Sequence, residues 1–276
     1  MHTPVLLKEA VDGLDVKSGG LYIDATAGEG GHLLEIAGRG GKVLGLDRDE
    51  RQIKRLTLNV ERLKNIKLLQ GNFADIEQIA KNYSFYPVDG ILFDLGLSME
   101  QIENSGKGFS YKKLRDPLDM RFDQKTQITA KDIIKSSDKN QLYEILAKYG
   151  EEIRSMAISQ TLVRACTIKP ITEVGHLIQV IDEAIGKKDT KTYARVFQAL
   201  RIAVNDEFEN LKKALQGSVH ILSEGGRMVT ITFHSLEDRI VKQFIREKRL
   251  KQLNKKVFAA NPRRFERSAK LRIISR

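Results

Sequence analysis

Short apolar runs alternate with longer amphipathic stretches over the first hundred residues of the chain. Four apolar runs with turn residues at their ends lie at residues 21–25, 43–47, 66–69 and 88–94. Such runs are typical of strands that are buried on both faces of a parallel sheet. Helical periodicity marks stretches between them, notably residues 33–37 and 51–64. The alternation predicts an α/β fold with a doubly wound sheet, whose ligand lies outside the carboxyl ends of the strands.

The alternation stops after about residue 104, and helical periodicity alone continues to about residue 192. We therefore predict a discontinuous sheet domain, residues 1–104 and 193–276, which carries an inserted all-helical domain, residues 105–192. Residues 193–222 have the pattern of one long helix. Residues 225–233 return to the strand pattern, and residues 271–274 suit a final strand.

Composition places the chain among ordinary globular proteins. Apolar residues make up 41% and charged residues 30%, which excludes a disordered or collagen-like chain. The single cysteine, Cys166, cannot form an internal disulfide, and this favours a reducing compartment. No apolar run approaches the ~20 residues that span a bilayer, and the N-terminus lacks the features of a signal peptide. The sequence therefore predicts a cytoplasmic protein without a membrane partner.

The net charge of +11 is concentrated at the C-terminus. Residues 239–276 contain 14 basic and 2 acidic residues, whereas the rest of the chain contains 33 basic and 34 acidic residues. A basic segment of this kind favours a surface that contacts phosphates. The alternative interpretation is a solvated, lysine-rich helix face.

A glycine-rich loop, residues 24–32, follows the first predicted strand. Glycines at such a turn let the backbone approach a ligand, and the next helix offers unpaired N–H groups. Asp47 ends the second strand, where a carboxylate can accept both hydroxyls of a ribose. The negative charges of Asp24 and Glu29 suit the cationic S-adenosylmethionine better than a pyrophosphate. The sequence has no P-loop pattern, and this disfavours an NTPase.

Two further strand ends carry candidate ligands. Asn72 and Phe73 follow the third strand, where they suit an adenine edge as well as a turn with a core aromatic residue. Asp94 ends the fourth strand, where a carboxylate can bind an ammonium group, accept a proton or cap a helix.

Seven sequence blocks together resemble the RsmH (MraW) family, and they occur in the family's order. They are residues 3–10, 30–32, 94–98, 108–110, 117–121, 197–202 and 233–239. The resemblance spans nearly the whole chain. It implies a class I methyltransferase sheet with an inserted helical domain. It also implies S-adenosylmethionine-dependent methylation of N4 of a cytidine in the decoding region of 16S, small-subunit, ribosomal RNA.

The same resemblance implies a set of cofactor-binding residues: Gly30, Gly31, His32, Asp47, Phe73, Asp94 and Gln101. In this set Asp47 would hold the ribose and Phe73 would lie against the adenine. Asp94 and Gln101 would complete the site near the methionine portion. The sequence departs from the family at Ala27, where a larger apolar residue is common, and at Met99-Glu100, which replaces Ser-Pro.

Methylation of a cytosine amine requires alignment of the amine and a proton acceptor. Asp94 is one candidate acceptor. If it holds the ammonium of the cofactor instead, Ser98 or backbone carbonyls take its place. His234 is a candidate for orienting the base or relaying a proton, and it also suits a helix cap or a structural role. The spacing of the other histidines indicates no metal site.

An RNA base that undergoes chemistry must leave its stack, so the target cytidine is expected to flip into the site. The inserted helices, residues 115–121 and the basic C-terminus would hold the surrounding phosphates. Candidate stacking platforms are Phe109, Tyr111, Phe258 and Phe265. The expected partner is 16S ribosomal RNA within the small subunit, not DNA. The sequence is compatible with a homodimer.

Two other classes of protein remain as alternatives. A nicotinamide-dependent oxidoreductase would share the sheet and Asp47, but Leu33 stands where the Gly-x-Gly-x-x-Gly motif has its third glycine. A non-catalytic assembly factor of the small subunit would share the basic tail, and the intact candidate ligands count against it.

Overall fold

The computed structural model describes residues 4–255 and 268–276. The chain divides into two compact units. One comprises Met1–Gly96 and Phe208–Arg276, and the other comprises Leu97–Glu207. We refer to them as the sheet unit and the helical unit.

The sheet unit is built on seven strands: β1 (Leu21–Asp24), β2 (Lys42–Asp47), β3 (Ile66–Gln70), β4 (Val88–Asp94), β5 (Leu222–Thr232), β6 (Lys251–Gln252) and β7 (Lys270–Ser275). Their order is β3-β2-β1-β4-β5-β7-β6. The pairs among β1 to β5 are parallel, whereas β7 is antiparallel to both β5 and β6. This topology confirms the predicted α/β fold with a doubly wound sheet.

Twelve helices occur in the described parts of the chain: α1 (Leu7–Leu14), α2 (Gly31–Gly38), α3 (Glu50–Val60), α4 (Ile76–Asn82), α5 (Met99–Asn104), α6 (Ala130–Ser136), α7 (Lys139–Gly150), α8 (Ser155–Ile168), α9 (Val174–Ile185), α10 (Thr190–Asn205), α11 (Glu207–Ile221) and α12 (Ser235–Glu247). A 3-10 turn spans Phe73–Asp75. No helix in the described ranges is long and apolar enough to cross a membrane.

The central strands are buried on both faces, as their unbroken apolar runs predict. Ile23 and Phe93 belong to one core cluster, whereas Tyr22 and Leu92 belong to another, and all four side chains are fully buried. Successive strand residues point to opposite faces of a sheet, so a strand enclosed by two cores has no polar alternation. The sheet is therefore covered on both sides.

The strand order reverses beside β1, which pairs with β2 on one side and with β4 on the other. In open α/β sheets, ligands bind outside the carboxyl ends of the strands at such a reversal. Asp24, Asp47 and Asp94 are the last residues of β1, β2 and β4. The topology thus brings three acidic residues to the expected ligand crevice.

The helical unit has its own apolar core, in which α7 packs against α8 and α10. The predicted single helix over residues 193–222 is wrong, because Asp206 has a left-handed backbone (φ 51°) between α10 and α11. Arg201 donates two hydrogen bonds to Glu207 across this break, at 2.8 and 2.9 Å. The contact between α7 and α10 also places α10 in the helical unit. The structural division therefore falls at Leu97 and Glu207, outside the boundaries predicted from the sequence.

Asn205, at the end of α10, connects this helix to the segment before α6. Its side chain accepts a hydrogen bond from Phe122 N (2.9 Å) and donates to the carbonyls of Met120 (2.7 Å) and Arg201 (2.9 Å). The residue is buried. Since buried backbone groups need partners, this one amide fixes the position of the segment against the helix.

We expect Asn205→Ala to destabilise the helical unit by about 2–4 kcal/mol, because it removes the hydrogen bonds of the amide to the part-buried N–H of Phe122 and to the buried carbonyl of Met120. The measurement is urea unfolding followed by far-UV circular dichroism. Asn140→Ala, at an exposed position on α7, is the matched control and should change stability by less than about 0.5 kcal/mol. Equal effects of the two substitutions would contradict the role of Asn205.

Candidate cofactor and active site

The loop after β1 is tied to both neighbouring strands. Ala25 N donates to Leu92 O (2.9 Å), and Ala27 N donates to Leu46 O (2.8 Å). The Thr26 hydroxyl accepts a hydrogen bond from Asp94 N at 2.7 Å. These bonds fix the loop across the crevice, so the ends of β1 and β4 form one rigid floor.

A side chain would have different surroundings at each of three glycines in this loop. Gly28 has a left-handed backbone (φ +47°), and a Cβ there would meet only the carbonyl oxygen of Thr26, at 3.8 Å. Gly30 is also left-handed (φ +88°), and a Cβ there would lie 2.4 Å from Leu56. At Gly31 a Cβ would lie 1.9 Å from Pro4. Packing therefore accounts for the absence of a side chain at Gly30 and Gly31, and their predicted backbone contact with the cofactor stays a prediction.

Asp47 is held by two backbone donors. Gly28 N donates to its Oδ2 and Asp49 N donates to its Oδ1, both at 2.8 Å. Burial raises the pKa of Asp47 to about 6, against these two hydrogen bonds. Each carboxylate oxygen has two lone pairs, so each can still accept a ligand hydroxyl. This geometry suits the predicted ribose contact.

Asp24, Asp94 and Glu237 form a second acidic group, at the ends of β1 and β4 and in the first turn of α12. Burial raises the pKa of Asp24 to about 7. Burial, with the negative charges of Asp24 and Glu237, raises the pKa of Asp94 well above its usual range. The Oδ1 atom of Asp94 is buried and has no hydrogen-bond partner in the described parts of the chain. A cation placed here would lower the cost of ionising all three groups.

His32 is buried and neutral. Its Nε2 lies 3.0 Å from the carbonyl of Val5, and burial lowers the pKa of the imidazole to about 4. Donation from Nε2 to that carbonyl leaves Nδ1 as an acceptor, 3.7 Å from Oδ2 of Asp94. Within the sheet unit, the ring therefore lies against Asp94 and the N-terminal segment.

His234 caps the N-terminus of α12. Its Nδ1 accepts a hydrogen bond from Glu237 N at 3.4 Å, and its Nε2 lies 3.1 Å from Glu237 Oε1. The other Glu237 oxygen accepts from Phe233 N at 2.8 Å. The structure therefore gives His234 the helix-capping role that the sequence left as an alternative, and it links the imidazole to Glu237.

Phe73 lies in the 3-10 turn after β3. Its ring is edge-on to Phe93, with centroids 6.0 Å apart, and the residue is partly exposed. The side chain of Asn72 accepts a hydrogen bond from Ala74 N at 3.0 Å and so caps the turn. The predicted adenine contact of Phe73 stays a prediction, while Asn72 has the turn-forming role that the sequence left open.

Ser98 and Gln101 belong to the helical unit, where they form a capping box at the start of α5. Ser98 Oγ accepts from Gln101 N, and Gln101 Oε1 accepts from Ser98 N, both at 3.1 Å. Each side chain thus satisfies a backbone donor of α5. Their predicted roles toward the substrate and the cofactor stay predictions.

The predicted RNA-contacting residues differ in their surroundings. Phe109 is buried and stacks on Phe122, so it is a core residue and not a stacking platform. Arg272 is buried and donates to Asp238 Oδ1 at 2.8 Å, and Lys270 lies 3.3 Å from the same carboxylate. These two cations therefore neutralise an internal charge. Phe258 and Phe265 lie outside the described residues.

The acidic crevice fits the chemistry of S-adenosylmethionine. The cofactor carries a sulfonium and an ammonium group, and the crevice offers the unpartnered oxygen of Asp94 beside Asp24. It also offers Asp47 for ribose hydroxyls. The sequence alone did not identify Glu237 as a member of this acidic group. Its position three residues after His234, as the second residue of the capping box of α12, is a recognisable signal. No group of three or more metal-ligating side chains occurs in the described ranges.

The chain resembles known proteins over its full length. A model of the MraW methylase family matches residues 1–276. The ribosomal RNA small subunit methyltransferase H of Dictyoglomus thermophilum is 40% identical over 288 residues, which cover 100% of this chain and 97% of that protein. The protein of the same name from Thermomicrobium roseum is 45% identical over 251 residues, 89% of this chain and 77% of the relative.

Solved structures also align with the chain. An rRNA methylase from Streptococcus thermophilus has 12% identity and a TM-score of 0.46, with 100% of this chain and 99% of that chain covered. NSun6 from Pyrococcus horikoshii with SFG has 13% identity and a TM-score of 0.48, with 98% of this chain and 51% of that chain covered.

We expect Asp47→Ala to weaken the binding of S-adenosylmethionine at least about tenfold, because it removes the ribose acceptor and leaves Gly28 N and Asp49 N without their acceptor. Isothermal titration calorimetry measures the Kd. Asp75→Ala, at the exposed last residue of the 3-10 turn, is the control and should leave the Kd unchanged. An unchanged Kd for Asp47→Ala would exclude the ribose contact.

Asp94→Asn should stabilise the cofactor-free protein at high pH. Since the pKa of Asp94 is raised in the folded chain, its contribution to stability is lost as the pH rises from about 3.9, the usual pKa of an aspartate, through the folded value. Asparagine has no such loss. We expect the Tm of the variant to exceed that of the native protein by at least about 2 °C at pH 8 and by less at pH 5.

Differential scanning calorimetry at the two pH values measures this difference. Asp75→Asn is the exposed control, and its difference from the native protein should not vary with pH. A lower Tm for Asp94→Asn at pH 8 than for the native protein would mean that the carboxylate is stabilised in the fold.

Proposed function

The chain belongs to the MraW methylase family, and we propose that it transfers the methyl group of S-adenosylmethionine to the exocyclic N4 of a cytidine in the decoding region of 16S ribosomal RNA. The family uses this cofactor, as predicted. Relatives that cover nearly the whole chain are named small-subunit rRNA methyltransferases, and this supports the RNA substrate. We place the reaction in the cytoplasm.

The observation that carries the proposal is the acidic crevice at the reversal of the strand order. Asp24 and Asp94 disfavour a bound pyrophosphate and favour a cationic cofactor. The cofactor supplies an activated methyl group when it is bound. Asp47 would hold the ribose, and Asp94 would bind the cation beside the methyl group. The glycine loop would follow the cofactor at Gly28, where a Cβ would have only the carbonyl oxygen of Thr26 within 4 Å.

The protein must align the cytosine amine with the methyl group and accept one proton from it. The N4 lone pair is delocalised into the ring, so positioning supplies a large part of the rate enhancement. Asp94 is the first candidate acceptor, because its Oδ1 has no other described partner. If Asp94 is occupied by the ammonium group, Ser98 or a backbone carbonyl accepts the proton. Asp94 and Ser98 are thus the proposed acceptors.

For His234 we propose a positioning role. Its two nitrogens face Glu237, and Glu237 lies close enough to Asp94 to raise the pKa of that carboxyl. His234 therefore fixes the carboxylate that faces the proposed acceptor. The helical unit, Leu97–Glu207, is the proposed RNA-recognition part of the chain.

The reaction is tested with purified protein and methyl-labelled S-adenosylmethionine. Naked 16S RNA and assembled small subunits from cells that lack the protein serve as substrates, and the digested nucleosides are analysed by mass spectrometry. N4-methylcytidine is the expected product. A different labelled nucleoside would overturn the proposed acceptor atom. No labelled nucleoside, with cofactor binding confirmed, would favour the non-catalytic assembly factor.

The two roles of His234 are separable by substitution. Asparagine is an effective N-cap residue, so His234→Asn should retain α12 and keep kcat within about tenfold of the native value with the pH profile unchanged. His234→Ala removes the cap and should therefore lower the free energy of unfolding by about 1 kcal/mol, unlike His234→Asn. A loss of about 100-fold or more in kcat for His234→Asn, with native Tm, would identify the imidazole as a general base instead.

A further inference from the structure

A closed loop projects from the helical unit between α5 and α6. Met120 N donates to the carbonyl of Lys107 at 2.8 Å, and this bond joins the two ends of residues 107–120. The Lys107 ammonium also donates to the carbonyl of Arg121 at 2.8 Å. Compact surface loops of this size with adjacent ends are Ω loops, which frequently carry function. We call residues 107–120 the basic loop.

The first half of the basic loop is fixed by a glycine and an aromatic pair. Gly108 has a left-handed backbone (φ +77°), and a Cβ there would lie 2.3 Å from the carbonyl of Pro117. Phe109 is buried and stacks on Phe122, with ring centroids 5.6 Å apart. The backbone at Gly108 and at Pro117 therefore lies too close to allow a side chain at residue 108. These contacts and the aromatic pair pack the two ends of the loop together.

The middle of the basic loop is attached to α9 and α10. The carbonyls of Leu114 and Asp116 accept hydrogen bonds from Gly175 N (2.8 Å) and Val174 N (3.0 Å), the first two residues of α9. The ring of Tyr111 packs against two aromatic rings of α10 at centroid distances of 5.9 and 6.2 Å. The loop carbonyls thus satisfy N–H groups of a helix start that has no side-chain cap.

The tip of the basic loop presents three cations and one apolar side chain to solvent. Lys112, Lys113, Leu114 and Arg115 are all exposed, and Leu114 has 55% of its surface accessible. Across residues 4–255 and 268–276, none of the three cationic side chains has an ion-pair or hydrogen-bond partner. The tip therefore combines a fixed backbone with uncompensated positive charge.

Two other arginines of the helical unit are paired internally. Arg121 makes a two-pronged contact with Asp119, with both distances 2.8 Å, and Arg195 donates to the buried Glu152 at 2.6 Å. Of the two arginines in residues 115–121, for which the sequence predicted phosphate contacts, only Arg115 remains a candidate. Arg121 stabilises the base of the loop instead.

We propose that Lys112, Lys113 and Arg115 bind consecutive backbone phosphates of the RNA substrate, with Leu114 packed against a neighbouring ribose or base. The inference rests on the proposed RNA substrate. Three cations carried on a fixed loop contact phosphates with little loss of backbone entropy. One apolar residue is too little to insert into a membrane.

The test compares two triple variants of the full-length protein that lose the same charge. In the loop variant, Lys112, Lys113 and Arg115 are replaced by Gln. In the control, Lys187, Lys188 and Lys191, exposed residues between and at the start of helices α9 and α10, are replaced by Gln. Filter binding measures the Kd for naked 16S RNA and for assembled small subunits at several salt concentrations.

We expect the loop variant to bind the RNA substrate at least tenfold more weakly than the native protein at 0.1 M salt. The slope of log Kd against log salt should fall by about 2, since each single-stranded phosphate contact contributes about 0.7. The control should change Kd less than threefold. Leu114→Ser should raise Kd roughly 3–10-fold without changing the slope, because its contact is apolar.

The kinetic readout separates binding from chemistry. The loop variant should raise the KM for RNA and leave both kcat and the Kd of S-adenosylmethionine unchanged, since the loop does not include the proposed acceptors. Equal Kd values and slopes for the loop and control variants would overturn the proposal. Weaker binding to assembled subunits with native binding to naked RNA would also overturn it, because the loop would then contact a ribosomal protein.

Failure of the proposed function gives a different result. If the native protein binds neither 16S RNA nor small subunits, the RNA substrate itself is wrong. If the native protein binds RNA but methylates an atom other than cytidine N4, the proposed acceptor atom is wrong and the contact of the loop with phosphates still stands.

Discussion

The crowding of carboxyl groups at one end of the sheet is the constraint on which the site depends. Asp24 and Asp94 end neighbouring strands and Glu237 lies close to Asp94. Asp24 and Glu237 are buried, and Asp94 is partly buried. The fold keeps them there at a cost, since the charged forms of buried acids are disfavoured. A cationic ligand removes this cost. The carboxyl groups at this end of the sheet therefore favour binding of the sulfonium and ammonium groups of the cofactor.

The surrounding contacts hold this acidic group in place and set the protonation of its neighbours. Thr26 joins the β1 loop to the backbone of Asp94. The carbonyl of Val5 selects the tautomer of His32 that presents an acceptor to Asp94, so the N-terminal segment contributes to the site through its contact with His32. Charge, tautomer and backbone geometry therefore form one connected arrangement within the sheet unit.

The helical unit uses its charges in a different way. Its buried or half-buried ion pairs, such as Arg195 with Glu152, stabilise the packing of helices, and Asn205 fixes the segment that follows the basic loop. At the tip of the basic loop, where the backbone is fixed by hydrogen bonds to α9, three cations have no ion-pair partner among the described residues. Cations that form internal ion pairs and cations proposed to bind phosphates thus lie in different parts of the helical unit.

The sequence by itself predicted β1 to β5, their parallel direction and the acids at the ends of β1, β2 and β4, because buried parallel strands have unbroken apolar runs and strand ends share one edge. It did not show β6 or the antiparallel direction of β7. It left open the roles of His234 and Asn72 and misplaced the break at Asp206. It could not show that Gly31 accommodates Pro4 or that Arg121 is bound to Asp119. Those features depend on contacts and backbone angles that form only when the chain packs, so the periodicity of apolar residues does not predict them.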